Sequence, residues 1–202
     1  MGGTIETYCF STEYRVANAH LFQDCLQRGG IFLDLSEKKL TDIISRGCKD
    51  YHEWNIRSML EISTFEIWSK FVFRDYLIDP EALKKISEEL SFLYETQFYQ
   101  RKMRSEIPDV LKSLKTMGFT LGCISNTQSH TQVPSTLKKY GIIDYFDSII
   151  LSSEYGYRKP DPSIFYHAAQ QVNVPTGSCV YVGDKISRDI LGAHNAGFGL
   201  AI

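Results

Sequence analysis

Val182-Gly183-Asp184-Lys185-Ile186-Ser187-Arg188-Asp189-Ile190 is the stretch on which the fold turns. Just before it, Cys179 to Val182 is a short apolar run of strand length, and just after it Arg188 to Ala196 reads as a helix. Gly183 permits a tight turn, Asp184 stands at the strand tip, and Asp189 falls in the first turn of the next helix. The segment is therefore a strand–loop–helix unit whose polar residues gather at the loop.

Working outward, the same unit recurs. Pro108 opens a helix that Gly118 closes, following the preference for proline early and glycine after the end. Phe119 to Ile124 is a short apolar run bounded by Gly118 and by Ser125-Asn126-Thr127, and Val133, Leu137 and Tyr140 mark the helix after it. Ser148 to Leu151 and Gly199 to Ile202 supply two more strands, with a helix from Pro162 to Val172. Strands alternating with helices predict an α/β fold with a parallel, doubly wound sheet. In such sheets ligands bind beyond the carboxyl ends of the strands.

From about Thr12 to Arg104 the periodicity is almost entirely helical. Tyr14, Ala17, Leu21, Cys25 and Leu26 share one face of a helix ending at Gly29-Gly30. Similar faces occur at Leu40, Ile43 and Ile44, at Phe65, Ile67, Trp68 and Phe71, and at Leu83, Ile86, Leu90 and Leu93. About four helices in a small bundle are expected, with the aromatic stripes serving helix packing.

The chain has 202 residues, 43% hydrophobic and 23% charged, enough for one sizeable core or a core with a satellite. A net charge of -2 creates no field that gathers polyanions, which argues against nucleic acid as a partner. The five cysteines form no Cys-x-x-Cys pair and are read as reduced thiols of a cytoplasmic protein. No apolar run reaches the roughly 20 residues needed to cross a bilayer, so no membrane segment is expected. The five histidines show neither metal-ligand spacing nor a triad arrangement.

Four places hold unusual polar residues at or near strand ends: Ser125-Asn126, Arg158-Lys159-Pro160, Gly183-Asp184 with Asp189, and the N-terminal Gly2-Gly3-Thr4. A hydroxyl and an amide at a strand tip suit phosphate oxygens, and a neighbouring lysine suits the charge that develops in phosphoryl transfer. Asp184 is a hard-oxygen ligand of the kind Mg²⁺ prefers, and Asp189 is placed to orient Lys159 or a metal-bound water. Taken singly, turn and cap preferences explain each of these residues. Their succession on consecutive strand–helix units is what turn chemistry does not explain.

Leu121-Gly122-Cys123-Ile124-Ser125-Asn126 resembles the second motif of the haloacid dehalogenase superfamily, and Tyr157 to Phe165 resembles the third. Val182 to Ile190, followed by Gly192-Ala193 and Asn195-Ala196-Gly197, is similar to the fourth and is the most specific. The resemblance implies a Rossmann-like core of residues 1–11 and 105–202, with residues 12–104 as a helical cap inserted after the first strand. It further implies an Mg²⁺-dependent phosphatase acting on a small phosphorylated metabolite, as a monomer or homodimer. Ser125 and Lys159 would be catalytic, Thr4, Ser125, Asn126 and Lys159 would contact substrate, and Asp184 and Asp189 would form the metal site.

The first motif departs from the family pattern, an apolar strand ending in Asp-x-Asp-Gly-Thr. Met1-Gly2-Gly3-Thr4-Ile5 fits only its tail, so the nucleophile falls before Met1 and Gly2 stands where the acid/base aspartate belongs. The expectation is a truncated chain, supported by the apolar run at Leu200-Ala201-Ile202. Two alternatives stand beside it: a non-catalytic phosphometabolite-binding or interaction module, and a branch with carbon–phosphorus or carbon–halogen chemistry. Asn18 and Arg57 in the helical segment are polar candidates that surface solvation explains equally well.

Overall fold

The structure, a computed structural model, describes residues 1–202. In chain order its elements are strand β1 (Glu6–Cys9), helices α1 (Thr12–Ala17), α2 (Ala19–Arg28), α3 (Glu37–Ser58), α4 (Thr64–Ile67) and α5 (Pro80–Gln97), and strand β2 (Gln100–Met103). There follow α6 (Ile107–Thr116), β3 (Gly122–Ser125), α7 (Gln132–Lys139), β4 (Ser148–Leu151), α8 (Ser152–Tyr155), α9 (Pro162–Gln171), β5 (Val180–Tyr181), α10 (Leu191–Asn195) and β6 (Leu200–Ala201). Two compact units result, one of Met1–Tyr8 with Arg101–Ile202 and one of Cys9–Gln100. Against the boundaries expected at 11 and 105, the divisions fall inside β1 and β2. These strands pair with each other, and their polar sequences carry no strand periodicity.

In the unit of Cys9–Gln100 the single helix expected over Tyr14–Leu26 is two, broken at Asn18. Asn18 Nδ2 donates to the carbonyls of Tyr14 (2.9 Å) and Gln97 (3.4 Å), which holds the corner in place. Arg57 lies exposed near the end of α3 and turns its Nε back to the Glu53 carbonyl. Helix ends are well marked. Ser36 caps α3 through Lys39 N–H, Ser63 and Glu66 form a capping box on α4, and Asp79 caps α5 with Pro80 following. A π-helical turn, Trp68–Val72, continues α4.

The core of this unit is aromatic. Phe22, Tyr51, Trp68 and Phe98 are fully buried, with the Phe22 ring 5.0 Å from Phe98 and 6.3 Å from Trp68. Gly47 lets α3 approach the π-turn, because a Cβ there would collide with Val72 Cα and stand 2.8 Å from the Phe71 carbonyl oxygen. Gly47→Ala therefore lowers stability by about 1–3 kcal/mol through overpacking, outweighing the about 0.8–1 kcal/mol that alanine gains in helix propensity. The check is a urea midpoint that falls at unchanged m-value.

In the other unit β3 and β4 pair in parallel, Gly122 to Ser125 against Ser148 to Leu151. Side chains alternate faces along a strand, and here each face has its own cluster. Cys123, Ile149 and Leu151 pack with Leu111, Val133 and Leu137 from α6 and α7. Ile124 and Ile150 pack with Ile164, Phe165, Ala168, Ala193 and Ala196 from α9 and α10. Helices thus cover both faces of this pair, as expected of a parallel α/β layer.

β5 and β6 also pair in parallel, Val180 with Leu200 and Tyr181 with Ala201. The two pairs are not joined into one hydrogen-bonded sheet. Tyr181 and Ala201 pack into the α9–α10 cluster, whereas Val180, Val182, Leu200 and Ile202 are exposed on the opposite side. The second pair is therefore covered on one face only, a departure from the doubly wound expectation. Where β3 faces no strand partner, the Ile124 carbonyl is bonded by side chains instead, the Lys159 ammonium at 2.9 Å and the Tyr181 hydroxyl at 3.5 Å.

Candidate functional site

Two of the predicted site residues, Asn126 and Asp189, contact Lys159 directly. Its side chain is 4% exposed and its Nζ lies 2.8 Å from Asp189 Oδ1, whose side chain is 2% exposed. The ammonium also donates to the Tyr181 hydroxyl at 2.6 Å and to the Ile124 carbonyl at 2.9 Å. All three of its donors are in use. Contact with a ligand oxygen requires one of these bonds to be exchanged, whereas its charge acts at short range without that exchange.

Asn126 takes a different part from the one expected of a ligand contact. Its Nδ2 donates to the Lys159 carbonyl and its Oδ1 accepts from the Lys159 N–H, both at 2.9 Å. The amide is spent on positioning the Lys159 segment. Ser125, at the tip of β3, is buried. The loop after it is buried despite its polar composition: Thr127, Gln128 and Ser129 are enclosed, as is Gln132 at the start of α7. The Thr127 N–H donates to Ser152 Oγ at 3.0 Å, and Ser129 Oγ accepts from the N–H groups of Thr131 and Gln132.

Asp189 sits in a π-helical turn, Ile186–Ile190, that packs it into the interior. It accepts from Lys159, from the Lys185 N–H at 3.1 Å and from Arg188 Nη2 at 3.2 Å, with the Tyr181 hydroxyl at 3.4 Å. Burial pushes its pKa up, but the charge and hydrogen bond of Lys159, then those of Arg188, outweigh burial and hold it below the ordinary carboxylate value. On Lys159 burial is the largest influence and pulls the ammonium's pKa down, with Asp189 opposing. The donors converging on Asp189 keep the pair as carboxylate and ammonium. Burial, then the charge of Asp189, raises the Tyr181 hydroxyl well above the usual phenol value, so it stays protonated.

Asp184 is more open. Its one ion pair is with Arg188 Nη2, 3.3 Å from Oδ1, and its side chain is 24% exposed. Gly3, at φ +89°, lies directly against this carboxylate: a Cβ there would collide with it, so the turn carrying Thr4 reaches Asp184 only because residue 3 is glycine.

No group of three or more His, Cys, Asp or Glu side chains is arranged to hold a metal. Mg²⁺ does not require one, since it commonly keeps several waters and uses one or two carboxylates plus a substrate phosphate. Asp184, with one oxygen unpartnered and a glycine-lined approach, fits that role. Asp189, expected as part of the metal site, is enclosed by Lys159, the Lys185 N–H, Arg188 and Tyr181. Tyr181 and Arg188 are the residues that sequence reasoning missed. Both lie in or beside the opening motif, Tyr181 read as strand packing and Arg188 as a helix start.

The sequence pattern of the haloacid dehalogenase-like hydrolases matches residues 11–197. Glyceraldehyde 3-phosphate phosphatase of Methanopyrus kandleri is 30% identical over 168 residues, covering 83% of this chain and 67% of that protein. N-acylneuraminate-9-phosphatase of Rattus norvegicus is 33% identical over 115 residues, covering 56% of this chain and 46% of that protein. The chain thus spans about two thirds of the one relative and under half of the other. A haloacid dehalogenase-type phosphatase from Thermococcus onnurineus superposes with a TM-score of 0.59 at 23% identity, over 99% of this chain and 81% of that one, which shows the shared α/β fold. No helix is long and apolar enough to cross a membrane. With its motifs in order on successive strand–helix units, the chain belongs to the haloacid dehalogenase-like hydrolase family.

Proposed function

We propose that this chain provides the phosphate-binding and metal-binding part of a phosphohydrolase site for a small phosphorylated metabolite. The observation that carries the reading is the buried Lys159–Asp189 pair, tied to β3 through Ile124 and Asn126, with Ser125 at the tip of β3 and Asp184 in the loop after β5. Relatives named as phosphatases support the same class of substrate.

In this reading the Ser125 hydroxyl donates to a phosphate oxygen, and the Lys159 charge offsets the negative charge of the transferring group. Asp189 holds Lys159 protonated and in place, and Asn126 holds its backbone. Asp184 ligates Mg²⁺, which when bound neutralises phosphate charge and orients the phosphoryl group. Thr4, on the glycine turn beside Asp184, is a further donor. Residues 12–104 act as the cap that selects the substrate, in a cytoplasmic protein working as monomer or homodimer. No carboxylate of the Lys159 cluster is a nucleophile, since Asp189 is locked in its ion pair and Asp184 faces Arg188. The attacking group and the leaving-group acid are therefore assigned to none of these residues.

The test is hydrolysis of p-nitrophenyl phosphate with and without Mg²⁺, by this chain and by a form carrying the reading frame upstream of Met1, with Asp184→Ala in each. Mg²⁺-dependent turnover that Asp184→Ala abolishes is expected. With Gly2 at the acid/base position the rate should lie roughly 10²- to 10⁴-fold below that of an enzyme with the acid, the usual size of the general-acid contribution. Folded protein that binds inorganic phosphate but turns nothing over in either form points to the binding module, and absence of both binding and turnover sinks the reading.

A further inference from the structure

Arg188 has no part in the function proposed above, yet it is the one cation placed on both acidic residues of the opening motif. Its Nη2 lies 3.3 Å from Asp184 Oδ1 and 3.2 Å from Asp189 Oδ2. Arg188 stands four residues after Asp184 and one before Asp189, and lies with Asp189 in the π-helical turn. The two carboxylates differ in what else they have. Asp189 keeps Lys159, the Lys185 N–H and Tyr181 if Arg188 leaves, whereas Asp184 keeps no other charged partner. The grip on the guanidinium is also one-sided, since Arg188 Nε is buried without a hydrogen-bond partner. A buried donor left unmade makes the bridged position costly to hold, so release from Asp184 is favoured as soon as another cation binds that carboxylate.

Two cations on the two oxygens of one carboxylate lie close enough to repel each other strongly. We propose that Arg188 is the internal counter-ion of Asp184, occupying its carboxylate when no divalent cation is bound and leaving it for the cation to enter. Arg188 thereby sets the metal affinity of the site. The inference rests on the reading of Asp184 as a metal ligand. It predicts a site that takes up divalent cation more weakly than its carboxylates alone would.

The experiment titrates the full chain with Mn²⁺ and follows free Mn²⁺ by its electron paramagnetic resonance signal, which needs no turnover. Wild type, Arg188→Gln, Asp184→Asn and the double variant are compared, with circular dichroism to establish folding. Arg188→Gln should bind Mn²⁺ about tenfold more tightly, the scale of removing one partly screened neighbouring charge, and the gain should vanish in the double variant. Should Arg188→Gln fail to fold, Arg188→Lys retains the charge but is too short to span both carboxylates, and a gain of about threefold is expected because the ammonium is a compact point charge without the fork. Mn²⁺ binding that Asp184→Asn weakens but that no folded Arg188 variant tightens overturns this inference and leaves the metal-ligand reading standing. Binding indifferent to Asp184→Asn overturns both.

Discussion

Replacing Lys159 with methionine lowers the stability of the protein by about 3–5 kcal/mol, the range for removing one partner of a buried ion pair. Methionine matches much of the lysine stem, so the loss is chiefly electrostatic. It strands a carboxylate that is 1% exposed, and it leaves the Ile124 carbonyl without its ammonium donor. Arg188 and the Lys185 N–H still reach Asp189, which places the effect toward the lower end of that range.

The pH dependence separates this cause from lost packing. In the wild type the folded pKa of Asp189 lies below its usual value of 3.8, so the stability it contributes is present above about pH 4 and is lost as pH falls through the folded value. In Lys159→Met the charge and hydrogen bond that offset most of the burial are removed, and the folded pKa of Asp189 is expected to rise above the unfolded one. The sign reverses: the variant is then at its best in acid, and its deficit against wild type grows as pH rises toward neutrality. Urea midpoints between pH 3 and 8 read this directly. Equal losses at both ends would mean that the pair is not ionised in the folded protein. The double variant Lys159→Met with Asp189→Leu should recover most of the loss, since replacing both members of a buried pair by apolar groups is often close to neutral. Neither variant should retain phosphate binding.

Trp68→Ala is expected to be as damaging, and it acts on the other unit. Trp68 is fully buried between Phe22, at 6.3 Å, and Phe73, at 5.7 Å, and its Nε1 donates to Ser91 Oγ at 2.8 Å. Truncating a buried tryptophan costs about 3–5 kcal/mol in transfer and cavity energy. The Ser91 hydroxyl, itself fully buried, then lacks its donor, which moves the expectation to the upper part of that range. Trp68→Phe keeps a ring in the site while losing the hydrogen bond, and should cost less than half as much. Far-UV circular dichroism in urea is the measurement, since the only other tryptophan is Trp54 and the fluorescence baseline shifts with the substitution. A loss below about 1 kcal/mol for Trp68→Ala would be too small for a packed core position and would contradict the aromatic core described here.

Local periodicity and turn chemistry determine much of this protein without any tertiary information. The apolar face of α3, the helix from Pro108 toward Gly118, the strand Ser148–Leu151 and the Gly183–Asp184 turn each follow from spacing within a few residues. The helix breaks are less legible. Asn18 divides α1 from α2 because its amide finds Gln97 far along the chain, a partner that no local pattern announces. β1 and β2 escape notice for the same reason. Their sequences are polar, and what joins them is Glu6, fully buried against Arg101 at 2.7 Å and Tyr140 at 3.2 Å, with the Tyr140 hydroxyl pushed up to about 12 by burial and then by Glu6.

The site divides along the same line. The order Ser125, Lys159, Asp184, Asp189 along the chain named the residues, because each stands at the end of a strand or in the loop or turn that follows. Their roles were decided only when the strands were side by side. Asn126 turned out to hold Lys159 through its backbone, Asp189 to be a buried counter-ion, and Tyr181 and Arg188 to join the cluster, since hydrogen bonds and charges act across a few ångströms of space that a linear sequence does not measure.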